Sequence, residues 1–142
     1  MTNSTYKRHI AKTITWRLVG TIDTMLLSWL ISGNPLAGLK IGLSEVVTKM
    51  FLYFVHERLW FKYKIPNSRK RHIIKTITWR CIGTLDTILL AWFITGNPLV
   101  GLQIGLSEVI TKMILYYVHE RVWYKVDYGI EKYRRLKKWK RT

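Results

Sequence analysis

The chain has 142 residues, enough for one domain; 49% of them are apolar, and the formal net charge is +16. Such a charge by itself is typical of nucleic-acid-binding proteins, but here the Lys and Arg residues lie between long apolar blocks, which is the pattern of a membrane protein with several spans. Nucleic acid is therefore not an expected partner. The single cysteine, Cys81, excludes an internal disulfide bond and a thiolate metal cluster.

A tandem repeat organises the sequence. Residues 7–63 align without a gap with residues 70–126, at a constant offset of 63, and 41 of the 57 aligned pairs are identical. Each copy consists of a basic lead, an apolar segment, a Gly-Asn-Pro turn, a second apolar segment and the exit His-Glu-Arg-x-Trp. Residues 64–69 form the predicted linker, and residues 127–142 are an additional basic tail.

The apolar segments predict four transmembrane helices in two tandem hairpins. In the first copy they cover about 13–32 and 36–56, and in the second about 76–95 and 99–119. Each is about 30 Å long as a helix, which is enough to cross the hydrocarbon. The predicted fold class is therefore an all-α integral membrane protein. A soluble four-helix bundle is disfavoured, because the seven Trp residues and the long apolar faces would lack a partner in water.

Basic residues predict the orientation of these helices. They concentrate before the first helix, in the central connection and in the tail, whereas the two turns have only Lys40 nearby. Because Lys and Arg are retained in the cytoplasm, both termini and the linker are predicted to be cytoplasmic. Both hairpins then insert in the same orientation, with a pseudo-twofold axis along the membrane normal.

The expected location is the prokaryotic cytoplasmic (inner) membrane, with several passes. The first residues, MTNSTYKRH, are polar and basic and show no cleavable signal peptide, so the first apolar segment is expected to remain. The lipid bilayer is the expected partner. The basic tail, which has apolar residues at helical spacing, is expected to bind anionic lipids of the inner leaflet.

Ionisable residues inside the apolar segments predict a buried site. On the second helix of each copy, small and charged residues share one face. The Asp of the first helix is predicted to lie at the same depth in the membrane as the Lys of the second helix. The candidate binding or transport residues are Asp23, Glu45, Lys49, Asp86, Glu108 and Lys112. We expect Asp23, Lys49 and Glu45 to cluster within one copy. Two carboxylates and one amine leave a negative charge in each copy, which calls for a proton or a cation because an unpaired charge in hydrocarbon is costly.

Two further sets of residues recur in both copies. A cytoplasmic gate or anion contact, including an Arg17–Glu57 pair, is predicted from Arg17, His56, Glu57, Arg58, Arg80, His119, Glu120 and Arg121. The GxxxG pairs in the second helices predict close helix packing, between the repeats or between subunits of a homo-oligomer. These glycines are Gly38, Gly42, Gly101 and Gly105. Neither set has the spacing of a zinc site, so no metal and no cofactor is expected.

Both copies carry the string KTITWR-x-x-GT-x-DT followed by GL-x-IGLSEV-x-TK-x-x-LY-x-VHER-x-W. This string resembles an uncharacterised family of small prokaryotic membrane proteins, domain of unknown function 2061, and the resemblance covers all but the linker and the tail. It implies a membrane location and no particular activity.

A fainter similarity is to the GtrA-like four-helix membrane proteins, which are implicated in translocating polyprenyl-phosphate-linked sugars. Arg17-x-x-Gly20-Thr21 and the exit from Tyr53 to Phe61 are similar to that family's opening and ending, although His-Glu stands before Arg58 in place of its usual asparagine. This similarity implies a lipid-phosphate-linked substrate.

Two functions fit the buried charges. The first is a small carrier or flippase-type transporter for an anionic substrate, with Arg17 and Arg80 as an anion gate. The second is a non-catalytic scaffold or assembly subunit, in which the same charges only hold the helices together. A water-accessible cavity at Glu45 or Glu108 is predicted for a carrier, and a dry, paired seam for a scaffold. An enzyme is not expected, because the sequence has no nucleophile or metal constellation.

Overall fold

The computed structural model describes residues 3–62 and 68–126, and these form four α-helices with no strand among them. The helices are α1 (Asn3–Ser32), α2 (Pro35–Lys62), α3 (Ser68–Thr95) and α4 (Pro98–Lys125). The all-helical fold and its two hairpins, one for each repeat, are therefore confirmed. The helices extend beyond the predicted spans because the basic leads and exits continue them. The predicted basic tail and most of the predicted linker lie outside the described residues.

Each hairpin turns on the three residues Gly-Asn-Pro. Gly33 and Gly96 have φ angles of 71° and 72°, the left-handed conformation that commonly ends a helix and that glycine adopts without strain. Asn34 then caps α2, because its Oδ1 accepts a hydrogen bond from the Leu36 N–H at 2.9 Å. Pro35 begins the helix at the position where its missing N–H is not needed. The turn sequence thus ends one helix and begins the next.

Three helices are long and apolar enough to cross a membrane, over Tyr6–Ser32 of α1, Arg69–Thr95 of α3 and Pro98–Lys125 of α4. The second helix, α2, differs from α4 at one decisive position, since Lys40 stands where α4 has Gln103. This lysine adds a third charge to the apolar part of α2, beside Glu45 and Lys49. Its side chain is exposed near the turn, where a lysine can reach the membrane surface.

The described residues are apolar outside and polar inside. Large apolar side chains are exposed along all four helices, as at Phe93, which is 83% exposed. The buried polar and charged residues are Thr24, Ser28, Glu45, His56, Thr87, Glu108 and His119, against only four buried apolar ones, Ala37, Ile41, Ala91 and Ile104. A soluble helical bundle has the reverse distribution. This inversion supports a membrane protein.

The contacts divide the described residues into two compact units, residues 3–20 with 112–126, and residues 21–62 with 68–111. The first unit contains the start of α1 and the end of α4, and the second contains the remaining helical segments. Each unit therefore combines parts of both repeats, because the long helices also pair across the repeat boundary.

In the second unit, glycines of α2 and α4 allow close packing against the other helix of the same hairpin. A Cβ atom placed on Gly38 would lie 2.6 Å from the Met25 carbonyl oxygen and 3.0 Å from the Trp29 nitrogen, both on α1. A Cβ atom on Gly101 would lie 2.6 Å from the carbonyl oxygen of Ile88 on α3. Gly42 and Gly105 meet the side chains of Met25 and Ile88 instead. The GxxxG glycines thus allow the two helices of one hairpin to approach. Close packing is as predicted, but these contacts lie within a repeat and not between the repeats or between subunits.

We expect Gly38→Ala to lower the free energy of unfolding by about 1–3 kcal/mol, because the methyl group meets backbone atoms that cannot move without shifting a helix. Thermal unfolding of the purified protein in detergent measures this. Gly20→Ala is the matched control, since a Cβ there would have only an ordinary contact, 3.9 Å from Cε of Lys112. Equal effects of the two substitutions would contradict this account of the packing.

Candidate functional site

Two buried glutamates lie at the centre of the second unit. Glu45 of α2 and Glu108 of α4 occupy equivalent positions in the two repeats, and each is only 4% exposed. The Thr87 hydroxyl of α3 lies 2.7 Å from Oε1 of Glu45 and 2.7 Å from Oε2 of Glu108. The hydroxyl of Thr24 on α1 donates to Oε1 of Glu108 at 2.9 Å. Segments of all four helices therefore contribute to one polar cluster.

Lys49 joins the two glutamates. Its ammonium group pairs with Glu45, one helical turn earlier on α2, and lies 3.5 Å from Oε1 of Glu108. It also donates to the Thr87 hydroxyl at 3.2 Å. The lysine stem rests on α3, where a Cβ on Gly83 would lie 3.8 Å from Cε. In the first unit, Lys112 lies in the same way against Gly20.

The two aspartates are bound by threonines of the other repeat. Asp23 of α1 accepts a hydrogen bond from Thr111 of α4 at 2.9 Å, and Asp86 of α3 accepts one from Thr48 of α2 at 2.8 Å. Of the cluster expected within one repeat, Glu45 and Lys49 do pair. The threonine that binds each aspartate comes from the opposite hairpin, and the place of Asp23 beside Lys49 stays a prediction.

The helix ends far from the turns, here called the basic ends, are built alike in the two units. In the second unit, Lys75 donates to Glu57 at 2.7 Å and the His56 ring lies 3.0 Å from the Thr78 hydroxyl. In the first unit the counterparts, offset by 63, make the same contacts. Lys12 donates to Glu120 at 2.6 Å, and the His119 ring lies 2.9 Å from the Thr15 hydroxyl.

Aromatic rings surround both histidines at the basic ends. Trp79 lies against His56 and Tyr53 in the second unit, and Trp16 lies against His119 and Tyr116 in the first. His56 and His119 are 5% and 9% exposed. The rings and the threonines thus seal each histidine from solvent, which fits a packing role better than an open gate.

Glu57 pairs with Lys75 of the other repeat, whereas the pair predicted between Arg17 and Glu57 stays a prediction. Arg80 follows Lys75 by five residues, and Arg17 follows Lys12 by five, which places each arginine about 140° around its helix from the lysine that meets the glutamate. Arg17 and Arg80 are both exposed.

Arg58 and Arg121 lie outside these clusters. Arg58 lies over the Phe54 ring with its Cζ 5.8 Å from the centroid, and Arg121 lies over Tyr117 at 6.0 Å. Phe54, Glu57, Arg58 and Phe61 line a surface groove. In the part of the chain that the structure describes, no group of three or more His, Cys, Asp or Glu residues could hold a metal ion.

Sequence reasoning missed the roles of Thr48, Thr87, Thr111, Lys12 and Lys75. One signal was present, because threonines recur at the same repeat positions inside apolar helices, where a hydroxyl needs a partner. The lysines were treated as orientation signals only.

The Glu57–Lys75 pair predicts a pH dependence of stability. The hydrogen bond from Lys75 holds the pKa of the Glu57 carboxyl below its ordinary value. The stability from this pair is therefore complete above the ordinary pKa of a glutamate and is lost as the pH falls through the lowered one. We expect the difference in melting temperature between the wild type and Glu57→Gln to shrink as the pH falls from neutral through this window.

Lys75→Gln breaks the same pair from the other side and serves as the matched variant. The difference in melting temperature between the wild type and Lys75→Gln should shrink over the same pH window. If this difference stays constant with pH for either variant, ionisation of the pair contributes nothing to stability.

Comparison with known proteins identifies the repeat. The family model described as "Predicted membrane protein (DUF2061)" matches the chain twice, over residues 10–61 and 73–124. No curated protein and no solved structure has a significant match. Each matched segment lies within one hairpin and includes its turn, its buried Glu and its His-Glu-Arg exit. The chain therefore belongs to the family described as Predicted membrane protein (DUF2061), of which it contains two tandem copies.

Proposed function

We propose that the protein is a small, non-catalytic membrane carrier whose transport site is the cluster around Glu45 and Glu108. The position of Lys49 is the main support: it lies between a glutamate of its own helix and a glutamate of the other repeat. In transporters built from repeats, substrate and coupling-ion sites lie at the repeat interface near the bilayer midplane. Ionisable residues within membrane spans are by default functional candidates.

The depth of the cluster agrees with this proposal. Glu45 is ten residues beyond Pro35, which corresponds to about 15 Å along a helix from the turn. That is about half the thickness of the hydrocarbon. The proposed substrate is a small anion or a phosphate-linked lipid that moves together with protons. The exposed Arg17 and Arg80 would attract it from the cytoplasmic side.

A scaffold or assembly subunit is the second candidate, because Glu45 and Glu108 are almost fully buried and hydrogen-bonded. A carrier must open this cluster during its cycle, whereas a scaffold keeps it closed. The observed arrangement suits a scaffold, or a carrier in its closed state, so a measurement of flux separates the two.

Proteoliposomes that contain the full-length protein and a trapped pH-sensitive dye test the carrier. We expect a sulfate or phosphate gradient to drive protons across the membrane in the wild type. The double variant Glu45→Gln with Glu108→Gln should reduce this flux at least tenfold, since neither amide can bind and release a proton. Lys40→Gln is the control, because the second repeat already has Gln103 at that position.

Lys40→Gln should keep the flux of the wild type. A wild type that moves no protons under either gradient, or a double variant that moves them equally fast, would reject the carrier and favour the scaffold. The amount and orientation of protein in the vesicles are checked for each variant before comparison.

We also propose that the protein lies in the cytoplasmic membrane of a prokaryote with both termini inside, bound through its tail to anionic lipids. The concentration of Lys and Arg away from the turns supports this orientation.

Cysteine labelling tests the orientation. In a Cys81→Ser background, we expect Leu36→Cys at the turn to react with a membrane-impermeant maleimide added outside intact cells. Lys62→Cys at a basic end should react only after the membrane is opened. The opposite pattern would reverse the proposed topology.

A further inference from the structure

The Thr87 hydroxyl is surrounded by more acceptors than it can satisfy. Its oxygen lies 2.7 Å from Oε1 of Glu45, 2.7 Å from Oε2 of Glu108 and 3.2 Å from the Gly83 carbonyl oxygen. The Lys49 ammonium donates to it at 3.2 Å. Thr87 has no solvent-exposed surface, so bulk water does not reach it.

Counting hydrogens shows that one is missing. A hydroxyl has one hydrogen to donate and two lone pairs to accept with. A separation of 2.7 Å between two oxygens is the normal length of an O–H···O hydrogen bond, so each of the two glutamate contacts needs a hydrogen between its oxygens. Thr87 can supply only one of them. Whichever acceptor its hydrogen points to, at least one carboxyl must be the donor.

We propose that Glu45 and Glu108 hold one proton between them, through the Thr87 hydroxyl. One carboxyl donates its O–H to Oγ1 of Thr87, and the hydroxyl donates its own hydrogen to the other carboxylate. The second lone pair of the hydroxyl accepts from Lys49, so every donor and acceptor position of Thr87 is occupied. The inference rests on this count at a buried hydroxyl and not on the proximity of two acids.

The proton also reduces the electrostatic cost of the cluster. Two carboxylates that share one site do not both ionise without a large penalty, and in hydrocarbon an excess charge costs several kcal/mol. One proton removes one of the two negative charges of Glu45 and Glu108. The Thr87 hydroxyl and the Lys49 ammonium group lie against both carboxyl groups.

The bridge connects the two repeats. If the carboxyl proton passes to Oγ1 while the hydroxyl hydrogen passes to the opposite carboxylate, the proton moves from one repeat to the other and no atom is gained or lost. The role of this proton as the coupling ion rests on the proposed carrier function. The presence of the proton does not depend on that function, since a scaffold with the same cluster would hold it too.

Infrared spectroscopy of the full-length protein in lipid nanodiscs at neutral pH tests the proposal. A protonated carboxyl has a C=O stretching band that is separate from carboxylate bands and shifts when H2O is exchanged for D2O. We expect this band in the wild type. Glu45→Gln and Glu108→Gln should each remove it, because the new amide N–H donates to Thr87 in place of the carboxyl and leaves the remaining glutamate ionised.

The pattern across variants identifies a shared proton. The double variant should lose no more of the band than either single variant, and Lys40→Gln should keep it. If the band disappears in only one of the two single variants, the proton belongs to a single glutamate. If the wild type has no band, neither glutamate is protonated. Either result overturns the proposal. If a variant does not fold, the presence or absence of the band in the wild type still tests whether a carboxyl is protonated.

The infrared result and the flux result are independent. A protein with the band but no proton flux holds the proton in a scaffold, whereas proton flux without the band means a carrier that does not hold its proton between Glu45 and Glu108 at rest.

Discussion

Burial of Glu45 and Glu108 is the constraint on which the rest of the structure depends. A charge inside a membrane span is costly unless hydrogen bonds and opposite charges replace the lost water. Its own helix supplies Glu45 with Lys49, one turn away. A further donor, Thr87, comes from α3. Gly38 and Gly101 permit a close approach of the two helices within each hairpin. The contact between Glu45 and Thr87 instead joins one hairpin to the other.

Local sequence determined the hairpins almost completely. Gly-Asn-Pro contains the left-handed residue, the cap and the first helical residue in order, and the structure uses all three in these roles. Helix identity and the polar faces were also predictable, because apolar and polar residues follow helical spacing. These features depend on residues a few positions apart, which is the range over which a single sequence is informative.

Partner choice between the repeats could not be predicted in the same way. Thr48 and Thr111 have nearly the same neighbours in sequence, so spacing and depth cannot decide which of them binds Asp23. The same ambiguity applies to Glu57, which the structure pairs with Lys75. Duplication makes two partners chemically equal, and only the packing of the helices distinguishes them. The charge count in each repeat calls for a proton or a cation, but a position between Glu45 and Glu108 could not be predicted, since it requires two repeats to face one hydroxyl.

The exchange of partners explains why two copies are needed. In a chain with only the first repeat, Glu45 would lack Thr87, Thr48 would lack Asp86, and Glu57 would lack Lys75. Each hairpin thus completes polar groups of the other. Stability alone does not require this arrangement, because well-packed apolar residues often replace a buried ionic cluster with no loss or with a gain. A chain that only holds a shape has little use for carboxylates at the middle of its spans, whereas the proposed carrier would use them to bind and release a proton.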